Sequence, residues 1–326
     1  MTPRIIHGIE KAGRGLGPCA LSIGNFDGVH AGHRLILRRV ASLGSEHGWK
    51  ASAMTFDPHP ARILAPARAP RLLSDVAERA SRMGQQGIQQ VIIVPFDLDF
   101  AHLTPEEFVA GILVRKLDAR AVVVGENFRF GREHRGDIKT LKELGSRHGL
   151  VVEAVPAVRI RGHKVSSSAI RRLLEAGDVS RAGRMLERPY AVSGDVISGY
   201  GIGSRRTVPT LNLATQAEVI PARGVYITRT EGVESGRLYP SVTNVGIRPT
   251  FGGHALTIET HLLEPLSLEA PTRIRVEFLY RLRAEHKFPS SEDLKAQILR
   301  DVARAQAYFC RLRALAPAAA TWATGS

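Results

Sequence analysis

Two histidines three residues apart, His30 and His33, close the decamer Gly24-Asn-Phe-Asp-Gly-Val-His-Ala-Gly-His33, which follows an apolar run ending at Ile23. Where a strand turns through glycines into a helix, backbone N–H groups and the helix dipole favour an anion. Two imidazoles at that point add donors for phosphate oxygens and for charge developing at phosphorus during a transfer. An isolated H-x-x-H is a surface turn or half a zinc site, and the strand–glycine–helix context selects the phosphate reading. Further along, Thr210 and Asn212 alternate onto one face of a short strand after Pro209, offering a hydroxyl and an amide oxygen to a hard cation such as Mg²⁺. Glu259 lies among apolar residues and faces the same way as His261 at period two. A strand carboxylate pointing into a barrel mouth can act as general base towards an alcohol, and a solvent-facing strand glutamate is the alternative.

Weaker signals accompany these. Asn127 and Phe128 follow the end of a strand, where an amide can pair with a ring edge and an aromatic can cover a ring face; an ordinary loop is the alternative. Ser166, Ser167 and Ser168 exceed the one hydroxyl that a helix cap needs. Arg171, one turn further, can grip a phosphate bidentately. The glycines of Gly199-Tyr-Gly-Ile-Gly203 allow a phosphate near the backbone. No G-x-x-x-x-G-K-[ST] loop occurs, so any nucleotide chemistry is of another class.

The elements that must position these residues fall into two patterns. In the first half, β-branched runs at 20–23, 52–56, 91–95, 121–125 and 150–156 alternate with helical segments at 32–48, 75–87, 104–117 and 137–149. Thr104-Pro-Glu-Glu supplies a hydroxyl N-cap, a proline at the first helical position and carboxylates in the first turn. This order predicts a parallel sheet with helices on both faces, and such sheets bind ligands beyond the carboxyl ends of their strands. After a helix at 167–176, short runs at 190–197, 210–214, 224–229, 241–245, 256–263 and 272–282 are broken by glycine and proline. They predict a small antiparallel barrel. Ser290-Ser-Glu-Asp293 then starts a closing helix with Leu294, Ile298, Asp301/Val302 and Ala305 on one face.

The 326 residues, 44% of them hydrophobic, suit two domains, expected at 1–186 and 187–313, with a fraying tail at 314–326. The net charge of +14 is dispersed and arginine-rich, and only 6% of residues are aromatic, so nucleic acid is not the expected ligand. The apolar runs stop short of the ~18–20 residues that span a bilayer. The opening MTPRIIHGIEKAGRG lacks the apolar stretch of a signal peptide, and two cysteines are too few for a disulfide scaffold. A reducing cytoplasm is the expected compartment. Nothing in the sequence specifies an oligomeric state.

The decamer, in the form G-x-F-D-G-x-H-x-G-H, resembles the nucleotidyltransferase signature of the bacterial bifunctional riboflavin kinase/FAD synthetase family. Further motifs follow in that family's order. Thr55-Phe-Asp-Pro-His-Pro60 resembles its Phe-x-Pro-His-Pro loop. Val124-Gly-Glu-Asn-Phe-Arg-Phe-Gly131 with Arg135-Gly-Asp137 resembles its flavin-site stretch, and Val165-Ser-Ser-Ser-Ala-Ile-Arg171 its Ile-Ser-Ser-Thr-x-Ile-Arg motif. Pro209-Thr-Leu-Asn212, Gly224-Val-Tyr226, Asn244-Val-Gly-Ile-Arg-Pro-Thr-Phe251 and Ile258-Glu-Thr-His-Leu-Leu263 resemble landmarks of its kinase domain.

The resemblance implies a Rossmann-like α/β nucleotidyltransferase domain followed by a β-barrel kinase domain with a closing helix. It implies phosphorylation of riboflavin to FMN by Mg²⁺ and ATP, then adenylylation of FMN to FAD with release of pyrophosphate. By that likeness Glu259, His30 and His33 are catalytic, and Gly24, Phe26, Asp27, Gly32, Ser167, Ser168, Arg171 and Gly203 bind nucleotide. Pro58, Asn127, Phe128, Asp137 and Arg248 bind flavin, and Thr210 and Asn212 hold the metal. The expected partners are small molecules: riboflavin, FMN and ATP. One departure is plain: the family reads Gly-Arg-x-Leu-Gly-Phe-Pro-Thr-Ala-Asn where this chain reads Gly203-Ser-Arg-Arg-Thr-Val-Pro-Thr-Leu-Asn212. It leaves open an FAD synthetase whose barrel only binds flavin. A flavin- or RNA-binding regulator is the rival from another class.

Overall fold

Strands buried on both faces read as continuous apolar runs rather than alternations, and the central strands of the first half of the chain are of this kind. The computed structural model describes residues 2–10, 15–197, 210–250, 253–266 and 270–315, without the side chains of 248–250 and 253–255. Six parallel strands, β1 (Arg4–His7), β2 (Cys19–Ile23), β3 (Lys50–Phe56), β4 (Gln90–Val94), β5 (Ala119–Gly125) and β6 (Val151–Val155), form one sheet in the order β1-β4-β3-β2-β5-β6. Every residue of β2 and β4 is buried. The strand missing from the sequence reading is β1, a four-residue edge with one buried side chain, too short to show a period.

Helices α1 (Ala31–His47), α2 (Pro60–Leu64), α3 (Val76–Gly84), α4 (Leu98–Ala101) and α5 (Ile138–Ser146) and a π-helical stretch, Glu107–Lys116, connect the strands. The cap expected at Thr104 is reciprocal: its hydroxyl accepts from the Glu107 N–H at 3.1 Å, and the Glu107 carboxylate accepts from the Thr104 N–H at 2.8 Å. Two apolar cores cover the two faces of the sheet, one around Leu21, Met54, Leu113 and Val122, the other around Leu37, Val40, Met83 and Val123. From β2 the chain winds outward through β3 and β4, then crosses to β5 on the other side of β2. That reversal opens a crevice at the carboxyl ends of β2, β3 and β5.

Contacts divide the chain into two units, Met1–Ser167 and Ser168–Ser326. A two-stranded hairpin, β7 (Arg159–Ile160) and β8 (His163–Lys164), precedes α6 (Ser167–Glu175) and α7 (Val179–Leu186). The sequence reading had no α7. Its buried face, Val179, Ala182, Met185 and Leu186, packs against the barrel strands, and the Ser180 hydroxyl donates to the Leu279 carbonyl at 2.9 Å. The second unit therefore begins upstream of residue 187.

Strands β9 (Tyr190–Ile197), β10 (Thr210–Ala214), β11 (Gly224–Gly232), β12 (Leu238–Thr250), β13 (Gly253–Leu262) and β14 (Arg273–Ala284) close into an antiparallel barrel in the order β10-β13-β12-β11-β14-β9. Tyr226, Thr228, Thr230, Ser241, Thr243, Thr260 and Phe278 are at most 1% exposed and fill its inside. The buried hydroxyls satisfy one another in a chain, Thr260–Thr243–Thr228–Ser241–Thr230, with every link between 2.7 and 2.9 Å. The alternate residues Val225, Ile227 and Val242 face outward onto Ala305 and Phe309 of α8 (Ser291–Leu315). The polar interruption on the α8 face is resolved by pairing: Asp301, 2% exposed, accepts from Arg283 Nε and from Gln297 Nε2, both at 2.9 Å.

Candidate active sites

The decamer occupies the crevice of the first unit. To bring α1 directly over the end of β2, the backbone adopts positive φ at Phe26 (48°), Gly28 (75°) and Val29 (39°). For a β-branched residue such as Val29 this costs roughly 1–3 kcal/mol and persists only where the surroundings enforce it. They do so through Asp27. Its buried Oδ1 accepts from the N–H groups of Leu73 (2.9 Å) and Ser74 (3.3 Å), while the Ser74 hydroxyl accepts from Gly28 N–H at 3.1 Å. Ser167 Oγ donates to the Asp27 carbonyl at 2.9 Å. Of the residues expected to bind nucleotide, Asp27 braces the loop in this way, and Phe26, 1% exposed, packs edge-on against His33 with ring centroids 5.2 Å apart.

His30 is the N-cap of α1: its Nδ1 accepts from the His33 N–H at 3.3 Å. That bond places the proton of a neutral ring on Nε2, leaving a donor on the opposite edge. The two imidazoles stack at 3.6 Å with 14° between their planes. Burial, helped by His30, pushes the His33 pKa well below the usual histidine range, so at neutral pH this ring is an uncharged donor rather than a cation. Gly32 gives the pair its room, because a Cβ there would stand 3.3 Å from His30 Cε1. The first turn of α1 carries no acidic residue, which leaves its N-terminus favourable to an anion.

Next to this loop lies a cavity of about 580 Å³ lined by Phe56, Phe96, Phe100, Phe108, Phe128 and Phe130, with Gly24, Asn25 and Asn127 also on its wall. Such a space takes a flat, largely apolar ring system and orients it with a few amides. Asn127 and Phe128 therefore stand where a ring could be held. Pro58 does not line it, although its neighbours Phe56 and Pro60 do. Asp137 lies outside too: it caps α5 through Thr140 N–H at 2.9 Å and pairs with Arg129, a cavity residue, at 3.3 Å.

In the second unit, register aligns Asn212, Glu259 and Asn244 across β10, β13 and β12, and Thr210, His261 and Val242 in the adjacent row. All six side chains share a face, because each lies two residues from its neighbour along the strand. The face is the outer one, not the barrel mouth, since the intervening Thr260 points inward to Thr243. Thr210, Asn244, Glu259 and His261 line a cleft of about 790 Å³ beneath α8, whose Leu294, Ile298 and Asp301 form the other wall. Thr210 Oγ1 lies 3.4 Å from His261 Nδ1, and burial lowers the His261 pKa. Strand pairing sets Asn212 opposite Glu259 and Thr210 opposite His261, a juxtaposition that spacing within each strand does not give. The sequence reading assigned no role to Asn244 or His261, although period two from Glu259 exposes His261.

Ser168 and Arg171 stand in the first turns of α6. Gly203 and the divergent segment 204–208 fall outside the described residues, as do 316–326 of the expected tail, and Arg248 lies in β12 with its side chain outside the description. Among the described residues, no group of three or more His, Cys, Asp or Glu side chains could hold a metal, and no helix is long and apolar enough to cross a membrane.

Comparison with known proteins divides the chain similarly. The family model for FAD synthetase matches residues 14–169, and that for riboflavin kinase matches residues 186–309. Proteins described as bifunctional riboflavin kinase/FMN adenylyltransferases are similar along nearly their whole length. That of Escherichia coli (strain K12) is 34% identical over 94% of this chain and 97% of its own. That of Haemophilus influenzae is 33% identical (94% and 99%), and that of Pseudomonas fluorescens 35% (93% and 96%). A crystal structure described as a macrolide-efflux protein from Streptococcus pneumoniae superposes with a TM-score of 0.82 at 26% identity, covering 94% of this chain and 99% of that one.

Proposed function

Because the chain belongs to the bifunctional riboflavin kinase/FMN adenylyltransferase family, we propose that its barrel unit phosphorylates riboflavin to FMN and its first unit adenylylates FMN to FAD. One observation carries this reading. Each unit has its own cleft, an aromatic cavity next to the decamer in the first and a cleft lined by Thr210, Glu259 and His261 in the second, in the order in which the two family models match.

In the barrel cleft, Glu259 accepts the proton of the ribityl 5′-hydroxyl as that oxygen attacks the γ-phosphorus of ATP, and the bond from that phosphorus to the β,γ-bridging oxygen breaks to release ADP. Thr210 and Asn212 supply two neutral oxygens beside the Glu259 carboxylate. This donor set fits Mg²⁺, which keeps waters and substrate phosphates in most of its positions. When bound, the ion neutralises charge on the transferring phosphoryl group. His261 stays neutral beside Thr210 and orients its hydroxyl.

In the first unit, an FMN phosphate oxygen attacks the α-phosphorus of a second ATP. The new O–P bond forms as the bond to pyrophosphate breaks, with no covalent enzyme intermediate. His30 and the neutral His33 donate to the phosphate oxygens as charge builds up, and the α1 N-terminus adds its dipole. The aromatic cavity takes the isoalloxazine between Phe128 and its neighbours, with Asn127 at the ring edge. Ser167, which braces the Asp27 carbonyl, serves the nucleotide. The partners are small molecules, and the setting is the cytoplasm. The test is direct: incubate the purified protein with riboflavin, ATP and Mg²⁺, and separate riboflavin, FMN and FAD by chromatography. FAD formation through FMN supports the reading, and absence of both products refutes it.

A further inference from the structure

Behind the decamer lies a buried cation that, among the described residues, forms no ion pair. Arg79, on α3, is 1% exposed. Its Nη1 donates to the Asn25 carbonyl at 2.7 Å and to Thr55 Oγ1 at 3.2 Å, and its Nη2 donates to the Phe56 carbonyl at 3.4 Å. Its Nε is buried without an acceptor, and among the described residues it forms no ion pair. Burial pulls the guanidinium below its ordinary pKa, and the charges of Asp27, Asp57 and Asp75 act against that. A buried unpaired charge is destabilising on its own. Bracing two carbonyls requires no charge, because a neutral amide could donate to both.

The acceptors show what the side chain controls. Asn25 is the second residue of the decamer, and Thr55 and Phe56 end β3, so one guanidinium ties together the two loops flanking the crevice. The segment that carries it also holds Asp27 and Gly28 through Leu73 and Ser74. Positive φ at Phe26 and Val29 lies between these anchors and His30. Release of Asn25 would let that strained turn relax and carry the imidazoles with it.

We propose that Arg79 is a positioning residue for nucleotidyl transfer: it fixes the Asn25 and Phe56 carbonyls so that His30 and His33 meet the α-phosphate, and its unpaired charge favours the anion in front of them. The proposal rests on the adenylylation reading above. Its mark is a fall in kcat larger than any loss of flavin affinity: Asn25 and Phe56 line the flavin cavity, but Phe96, Phe100, Phe108, Phe128 and Phe130, which accept no hydrogen bond from Arg79, make up the rest of its aromatic wall.

The experiment compares wild-type protein with Arg79→Met, Arg79→Lys and Thr55→Val. It measures FAD formation from supplied FMN, FMN formation from riboflavin by the same preparations, and thermal unfolding. Arg79→Met is expected to lower kcat for FAD formation about 100-fold, the scale of a 1 Å misplacement, with KM for FMN within about threefold. Arg79→Lys, which keeps the charge and a donor, should recover part of that loss. Thr55→Val should lose several-fold, and it keeps the proposal testable if Arg79→Met does not fold. Riboflavin phosphorylation should stay within about twofold in every folded variant. If Arg79→Met, or Thr55→Val in its place, keeps the wild-type kcat, or if both activities fall together, Arg79 is only a structural brace. If wild-type protein makes no FAD from FMN, the adenylylation reading itself has failed.

Discussion

His30 and His33 are not two independent donors: the ring of the first accepts the backbone N–H of the second at 3.3 Å, and the two imidazoles stack at 3.6 Å. One ring thus caps the helix that carries the other. Replacing His33 by alanine leaves that cap in place, since the bond uses the backbone, and removes a single donor. FAD formation from FMN should fall by ~100-fold or more, while FMN formation from riboflavin stays intact. Equal loss of both activities in a folded His33→Ala protein would contradict the assignment.

The low pKa of His33 has a stability consequence with a definite sign. In the unfolded chain histidine takes up a proton near pH 6.5, whereas in the folded protein His33 resists it. Below that pH the unfolded state binds more protons, so stability rises with pH up to about 6.5 and levels off above it. His261, lowered in the same direction, adds to the slope. Thermal midpoints should therefore drop between pH 7 and pH 5, and the drop should be shallower in His33→Gln. An unchanged slope in that variant would remove His33 as its source.

Glu259→Gln retains size and hydrogen bonding but cannot take a proton. FMN formation from riboflavin should drop by ~10²–10⁴-fold, with FAD synthesis from supplied FMN unaffected. A variant that still phosphorylates riboflavin at the wild-type rate would show that Glu259 is not the base. The same assay on wild-type protein addresses the divergent segment at 204–208: FAD made from FMN but no FMN made from riboflavin would identify a barrel that only binds flavin.

The buried face of α7 predicts where the barrel unit can be cut. A fragment of residues 168–315 keeps Val179, Ala182, Met185 and Leu186 against the barrel, and one of residues 187–315 exposes the surface they cover. Each fully buried aliphatic side chain of this kind is worth ~1.5–3 kcal/mol. The longer fragment should unfold cooperatively, and the shorter should show a clearly lower midpoint or precipitate. Identical midpoints would mean that α7 contributes nothing to the barrel.

Much of this protein was legible in the sequence because its signals are local. The β-α alternation, the switch to short strands after residue 189, the Thr104 and Ser290 caps and the decamer all depend on residues within a few positions of one another. So do Thr210 with Asn212 and Glu259 with His261, since period two alone sets which face a strand side chain takes. What needed the tertiary structure was whatever depends on register and burial between distant segments. Glu259 faces a cleft under α8 rather than a barrel mouth because β10, β12 and β13 pair in one register and the inward positions are taken by hydroxyls. Asp27 and Asp137, polar residues inside family-like motifs, are held by backbone N–H groups, and no pattern in the sequence separates a brace from a ligand. Arg79 sits in an amphipathic helix like any surface arginine, and only packing shows it buried beneath the strand ends. Periodicity records which way a side chain points; what it meets there is decided by segments arriving from elsewhere in the chain.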